Sequence, residues 1–302
     1  MKKIITNAKV LMRTIRTGSN LNQSRVEVEE MQKNKLLQSL GTILKKAGKA
    51  ALKKQAALSS FAKNDGTPVT DVDLYLSDML QTEIKKYASG KEHMVVDEEK
   101  DTDAATQWKK FETAKYAWFV DPLAGTWAYM NGLPLFAISI GILANKRPYL
   151  GAVYLPALDE LYWTNSKKSF LTKGGMTKVL TKQDKTKADF SLFYINNHQK
   201  FSLGEKTGRS LSFPAVNPAM LWAAKGSLSG ALFQMKLWDV AGAWTICKPL
   251  GLNLYNGETG ALIDDVSAKD FDENWKMKHP IILSNNQNIT TFIKNVHPLK
   301  PK

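Results

Sequence analysis

Short apolar runs alternate with segments of helical periodicity along this chain, which favours a fold of strands covered by packed helices. Apolar residues recur every three or four positions from Leu36 to Ala51, and a second such segment begins near Thr70. Helical periodicity returns after Trp238 and includes Cys247. Five apolar runs predict strands, at 94–96, 117–120, 136–143, 149–155 and, paired with the last, 161–163. The sequence therefore predicts an α/β or α+β fold.

The chain has 302 residues, of which 43% are hydrophobic, enough for one large or two small cores. We expect a basic N-terminal extension over 1–30, an α+β unit over 31–188 and a C-terminal α/β unit over 189–302. A single cysteine excludes a disulfide scaffold, and its place on an apolar stripe predicts that Cys247 is buried. No apolar run approaches the roughly 20 residues that span a bilayer, so we expect a soluble, cytoplasmic protein without a membrane partner.

A net charge of +14 attracts anions, including nucleic acids and phosphorylated metabolites. The lysine-rich segment 167–187 contains almost no aromatic residues for base stacking, so we do not expect nucleic-acid binding. Residues 1–26 carry six basic residues and no acid, which leaves an organelle-targeting presequence as an alternative to a cytoplasmic location.

Acidic residues stand beside the apolar runs, while the common zinc, P-loop and dinucleotide motifs are absent from the sequence. Asp97, Glu98 and Glu99 follow one predicted strand, Asp121 follows another, and Asp239 follows an apolar pair. Carboxylates that lie together at the edge of a core need a cation, and oxygen-only ligands favour Mg²⁺. With the basic surface, this pattern points to metal-assisted phosphoryl chemistry.

Four motifs resemble those of the inositol monophosphatase family, in the same order and over roughly residues 35–290. Asp121-Pro-Leu-Ala-Gly-Thr126 resembles the family's D-P-[IL]-D-G-T, and Trp238-Asp-Val-Ala-Gly-Ala243 matches W-D-x-A-[AG]-[GA]. Asp97-Glu98-Glu99 stands where the family has G-E-E, and Pro68-Val-Thr-x-x-Asp73 stands at its V-T-x-x-D helix entry. The resemblance implies the layered αβαβα fold shared with fructose-1,6-bisphosphatases, commonly as a homodimer.

The resemblance also implies a set of metal ligands for two or three Mg²⁺ ions. Glu98, Asp121, the Leu123 carbonyl and the Thr126 hydroxyl would hold the first ion. Asp121 would bridge to a second ion that Asp239 also binds.

The same resemblance assigns the catalytic and substrate-binding roles. Thr126, with Glu98 or Asp73 nearby, would orient a metal-activated water. Ala124, Gly125 and Thr126 would line the phosphate site, where the N–H groups of Gly125 and Thr126 would bind the phosphate.

Each of these acids also has a purely local interpretation. Thr70 and Asp73 form the pattern of a capping box. Glu98 can be a solvated loop acid, Asp121 before a proline a turn residue, and Asp239 the N-cap of the following helix.

Ala124 departs from the family, which has an aspartate at this position that would ligate the second metal. Loss of a charged oxygen ligand predicts a large fall in activity. The chain is then either an engineered inactive variant or a natural pseudophosphatase that binds a phosphoester, and the intact neighbouring motifs favour the first. For substrate, we prefer an inositol monophosphate-like compound, with a 3′(2′),5′-bisphosphate nucleotidase or another sugar phosphatase as alternatives. The resemblance further implies sensitivity to lithium.

Overall fold

The computed structural model describes residues 20–55, 60–62, 68–100, 103–181, 190–193, 201–203 and 211–298. The α-helices are α1 Asn20–Lys54, α2 Asp71–Ile84, α3 Ala104–Thr113, α4 Thr126–Met130, α5 Val216–Ala224, α6 Leu237–Cys247 and α7 Ile289–Asn295. The strands are β1 Ser60–Ala62, β2 Pro68–Thr70, β3 His93–Asp97, β4 Tyr116–Ala124, β5 Ala137–Ala144, β6 Arg147–Leu155, β7 Glu160–Thr164, β8 Ser169–Lys173, β9 Met176–Val179, β10 Phe190–Phe193, β11 Phe201–Leu203, β12 Leu211–Phe213, β13 Gly230–Phe233, β14 Asn253–Asn256, β15 Leu262–Ile263, β16 Ile281–Ser284 and β17 Val296–Pro298.

Two large sheets organise the molecule. The first has seven strands in the order β3-β4-β5-β6-β7-β8-β9, with β3 parallel to β4 and the remaining pairs antiparallel. The second has six strands in the order β12-β10-β13-β16-β14-β15. The five predicted strands correspond to β3 through β7, and the predicted pairing of β6 with β7 is present and antiparallel.

Helices cover both faces of the first sheet and separate it from the second. Leucines and isoleucines of α1 and α2 pack with one face of the first sheet into a continuous apolar cluster. Apolar residues of α5 and α6 fill the space between its other face and the second sheet. Phe292 of α7 packs on the outer side of the second sheet, against Leu232 and Ile282. The layers follow the expected αβαβα order.

The helix predicted from Leu36 begins earlier, because α1 already starts at Asn20. Polar residues dominate this first part of α1, so its sequence lacks the apolar stripe on which the prediction depended. Residues 1–19 lie outside the described residues, and the proposed division of the chain at 30 and 188 stays a prediction.

The helix predicted after Trp238 is α6, and Cys247 is fully buried at its end, as expected. This helix lies unusually close to β5. A Cβ atom added to Gly141 of β5 would lie 2.4 Å from the Ala241 carbonyl carbon. Any side chain at Gly141 would therefore push α6, and Asp239 with it, away from the sheet.

Among the helices of the described ranges, none is both long and apolar enough to cross a membrane.

Candidate active site

Three carboxylates from distant parts of the chain converge at one end of the first sheet. One oxygen atom from each of Glu98, Asp121 and Asp239 lies within 4.8 Å of the other two. Glu98 follows β3, Asp121 lies in β4, and Asp239 lies in the first turn of α6. The convergence that the sequence predicted is therefore present.

The parallel pairing of β3 with β4 brings Glu98 to Asp121. Asp97 is paired with Val120, and the Glu98 N–H donates a hydrogen bond to the Val120 carbonyl at 3.1 Å. The expectation that both acids follow a strand end is right for Glu98 and wrong for Asp121. β4 continues to Ala124 through an irregularity after Asp121, where the proline at 122 cannot donate a ladder hydrogen bond.

Asp121 is the most buried member of the cluster, with no exposed surface. Its Oδ1 accepts a hydrogen bond from the Leu123 N–H at 3.2 Å. Its Oδ2 is buried and has no hydrogen-bond partner within the described part of the chain. Burial, reinforced by the charges of Glu98 and Asp239, raises the pKa of Asp121 well above its ordinary value.

These features fit a divalent cation. An unpartnered buried carboxylate oxygen is costly unless a positive charge offsets the lost hydration. One carboxylate oxygen from each of Glu98 and Asp239 lies close enough to an oxygen of Asp121 to share one ion with it. Hard oxygen donors of this kind suit Mg²⁺.

Asp239 is held by its own helix and by α5. Its Oδ2 accepts a hydrogen bond from the Lys236 N–H at 2.8 Å, and Lys236 occupies the N-cap position of α6. The local interpretation of Asp239 as an N-cap is therefore wrong, since the helix starts two residues earlier, at Leu237. Buried Asn217 donates its Nδ2 hydrogen to the Asp239 carbonyl at 2.9 Å.

Asp73 and Thr126 meet beside the acidic cluster. The Thr126 hydroxyl oxygen lies 3.0 Å from Asp73 Oδ1 and 3.1 Å from the Leu123 carbonyl oxygen. Its one hydrogen can be donated to either acceptor. The predicted capping box is also present, because Thr70 accepts from the Asp73 N–H at 3.3 Å and the Asp73 carboxylate accepts from the Thr70 N–H at 2.8 Å.

Burial raises the pKa of Asp73, although the hydrogen bonds from Thr70 and Thr126 partly offset the effect. Leu123 connects this pair to the acidic cluster, since its N–H is bonded to Asp121 and its carbonyl lies against Thr126. All the residues predicted as metal ligands or catalytic groups thus lie together, linked either by hydrogen bonds or by carboxylate oxygens within 4.8 Å of one another.

The predicted phosphate-binding segment forms the junction between β4 and α4. Gly125 precedes α4 with a φ of 86°, in the left-handed region. A Cβ atom there would lie 2.7 Å from the Ala215 Cβ, so the position excludes a side chain. Ala124 is 5% exposed, packs in the apolar cluster between the two sheets and contributes no side-chain oxygen.

Residues for which the sequence suggested no role hold Asp97, the residue directly before Glu98. The Asp97 carboxylate accepts hydrogen bonds from Ser77 and Gln81 of α2. A signal was available in the spacing, because Asp73, Ser77 and Gln81 recur every four residues and so lie on one face of a helix.

With this fold and these acids in place, comparison with known proteins identifies the class. The sequence pattern of the inositol monophosphatase family matches residues 27–298. The chain belongs to this family.

Similar sequences include inositol monophosphatase 3 of Solanum lycopersicum, which is 30% identical over 68% of this chain and 75% of its own length. Inositol monophosphatase 1 of Bos taurus is 28% identical over 74% of this chain and 79% of its own. A fructose-1,6-bisphosphatase/inositol-1-monophosphatase of Aquifex aeolicus is 32% identical, over 46% of this chain and 56% of that protein.

Solved structures share the fold. An IMPase/NADP phosphatase complexed with Mg²⁺ and phosphate has a TM-score of 0.70 at 18% identity, covering 90% of this chain and 100% of that one. The IMPase of Thermotoga maritima has a TM-score of 0.65 at 20% identity, covering 84% and 93%.

Proposed function

We propose that this chain carries a Mg²⁺-dependent phosphomonoesterase site that acts on a small phosphorylated metabolite. Ala124 suppresses turnover at this site. The observation that carries the proposal is the buried, unpartnered Oδ2 of Asp121 within the described fold, beside carboxylates of Glu98 and Asp239. A related IMPase/NADP phosphatase was solved bound with D-inositol-1-phosphate, which supports an inositol monophosphate-like substrate.

Five groups would hold the metal in this proposal: Glu98, Asp121, the Leu123 carbonyl, Thr126 and Asp239. When bound, Mg²⁺ supplies Lewis acidity and positive charge against phosphate oxygens. The donor set is short of one charged ligand, because Ala124 stands where the family has aspartate. We propose that the site nearest Ala124 is the weaker one.

The residues beside the metal ligands would orient water and move its proton. When the Thr126 hydroxyl donates to Asp73 Oδ1, one of its two acceptors within 3.1 Å, Thr126 Oγ1 can accept a hydrogen bond from a water and so orient it. Burial raises the pKa of Asp73, which makes its carboxylate a stronger proton acceptor than an ordinary aspartate. The backbone N–H groups of Gly125 and Thr126 would bind the phosphate.

The second candidate is a pseudophosphatase that binds a phosphoester without hydrolysing it, and Ala124 is the observation that favours it. An engineered truncation of a working enzyme would have the same sequence, and the other intact ligands agree with that origin. The two candidates differ in whether one restored carboxylate brings back catalysis.

The test is Ala124→Asp, assayed for Mg²⁺-dependent phosphate release from inositol, sugar and nucleotide phosphates. We expect activity to rise roughly 10²–10³-fold, the usual effect of one preorganised electrostatic group. The matched control adds Asp121→Asn to the same variant and should return activity to the starting level. Phosphoester binding without a rise in turnover would support the pseudophosphatase instead.

A further inference from the structure

Asp97, directly before Glu98, is a buried carboxylate with an unusually complete set of donors. Asp97 is only 4% exposed. Oδ2 accepts hydrogen bonds from Ser77 Oγ and Gln81 Nε2, both at 2.9 Å. Oδ1 accepts one from the Glu99 N–H at 3.0 Å. These three hydrogen bonds offset the cost of burying the carboxylate charge. The glycine that the family has at this position has no side chain that could accept them.

Two of these donors come from the helix that also carries Asp73. Ser77 and Gln81 follow Asp73 at intervals of four residues, so the three side chains form one polar row on α2. Asp73, at the start of the row, contacts the Thr126 hydroxyl. Ser77 and Gln81, one and two turns later, donate hydrogen bonds to Asp97. One helix, α2, therefore contacts both the last residue of β3 and the first residue of α4.

Hydrogen bonds hold the backbone on both sides of Glu98, and the Asp97 carboxylate accepts one of them. The Glu98 N–H is bonded to the Val120 carbonyl, and the next N–H, of Glu99, is bonded to the Asp97 carboxylate. Both oxygens of Asp97 are already engaged by protein donors. Asp97 is thus placed to act on a metal site through Glu98 and not as a ligand.

We propose that Asp97 is a positioning residue that orients Glu98 for divalent-cation binding by tying the end of β3 and the Glu99 backbone to α2. This inference rests on the proposed function, because it assumes that Glu98 is a metal ligand. Partners that orient metal ligands typically contribute 10–100-fold to metal affinity or activity, by general experience of such sites.

The experiment measures the Kd of Mn²⁺, used as a probe for Mg²⁺, by titration calorimetry on the full chain, with thermal unfolding in EDTA alongside. We expect Asp97→Ala to raise the Kd about 10–100-fold. Asp97→Asn should stay within about threefold of the unmodified chain, because the Ser77 hydroxyl and the Gln81 amide can reorient to accept from the new amide.

Asp270→Ala is the matched control. Asp270 is a similarly buried carboxylate, 6% exposed, that accepts from His279 Nε2 at 2.8 Å and from Ser267 Oγ at 3.3 Å. Its loss should lower the melting temperature in EDTA and leave the Kd for Mn²⁺ unchanged. A general loss of stability would then be separated from a specific loss of metal affinity.

An Asp97→Ala variant with unchanged Kd would overturn the inference while leaving the proposed function intact. Equal losses of Mn²⁺ affinity in Asp97→Ala and Asp97→Asn would also overturn the inference. They would show that the charge of Asp97 matters and that its hydrogen bonds do not. No Mn²⁺ binding by the unmodified chain would overturn the proposed function and this inference together. If Asp97→Ala does not fold, the double variant Ser77→Ala with Gln81→Ala removes the two hydrogen-bond donors of α2 instead. An unchanged Kd for Mn²⁺ in that variant would also overturn the inference.

Discussion

At the scale of single residues, the site places an unfavourable charge in the core. The pKa of Asp121 is raised because burial and the neighbouring carboxylates of Glu98 and Asp239 disfavour its ionised form. The folded chain therefore binds a proton at the Asp121 carboxylate more tightly than the unfolded chain does. The contribution of Asp121 to stability is then greatest at low pH and falls as pH rises from the ordinary value of 3.8 towards the raised folded value.

From this sign we predict that Asp121→Asn stabilises the metal-free protein at neutral pH. An asparagine keeps an acceptor for the Leu123 N–H and can donate to the neighbouring carboxylates. The melting temperature in EDTA should rise by about 2–4 °C for each kcal/mol gained. Thermal unfolding with and without Mg²⁺ checks this, and the variant should also lose the stabilisation that Mg²⁺ confers on the unmodified chain. A lower melting temperature in EDTA would contradict the electrostatic account.

At the scale of secondary-structure elements, the turn from β4 into α4 has almost no freedom. Gly125 combines a left-handed backbone with Ala215 and the Leu135 carbonyl close to where a Cβ would stand, at 2.7 and 3.3 Å. These contacts come from the segment before β5 and from the start of α5. The turn that carries Thr126 is therefore shaped by residues outside its own segment, of which Ala215 is remote in sequence.

We predict that Gly125→Ala lowers the free energy of unfolding by about 2–4 kcal/mol, combining left-handed strain with overpacking. Gly132→Ala is the matched control, because its φ of 70° is similar and no atom lies within 4 Å of its Cβ position. It should cost only about 1 kcal/mol. Urea unfolding of both variants measures the difference, and equal losses would show that the contacts around Gly125 do not matter.

At the scale of the whole molecule, the chain has a net charge of +14 although its candidate site is a cluster of acids. The basic excess lies outside that cluster and attracts anions over a long range. We infer that the general field favours phosphorylated compounds, while the local acids would recruit the cation. A cytoplasmic location remains a prediction from the sequence.

We also predict a homodimer, in keeping with the family resemblance. Light scattering on the full chain should then give about twice the monomer mass of 33.7 kDa. A mass equal to one chain at micromolar concentration would contradict this prediction.

Much of the site could be predicted from the sequence because its motifs are short and local. The residues around Glu98, Asp121 and Asp239 each form a recognisable motif, and their roles remain proposals. The strands β3 to β7 could be predicted because each is an apolar run of ordinary strand length. The early start of α1 could not, because its first part is polar and shows no apolar stripe.

The amino-acid sequence by itself determined the layered α/β class, the family and the identity of the acidic residues, since these depend on local patterns and on motif order. Only the tertiary structure decided that Asp121 lies inside β4, that Asp239 follows the N-cap of its helix, and that Asp97 is bonded to α2. These outcomes depend on strand register, helix starts and contacts between distant segments. Such features arise from packing of the whole chain, which no local pattern specifies.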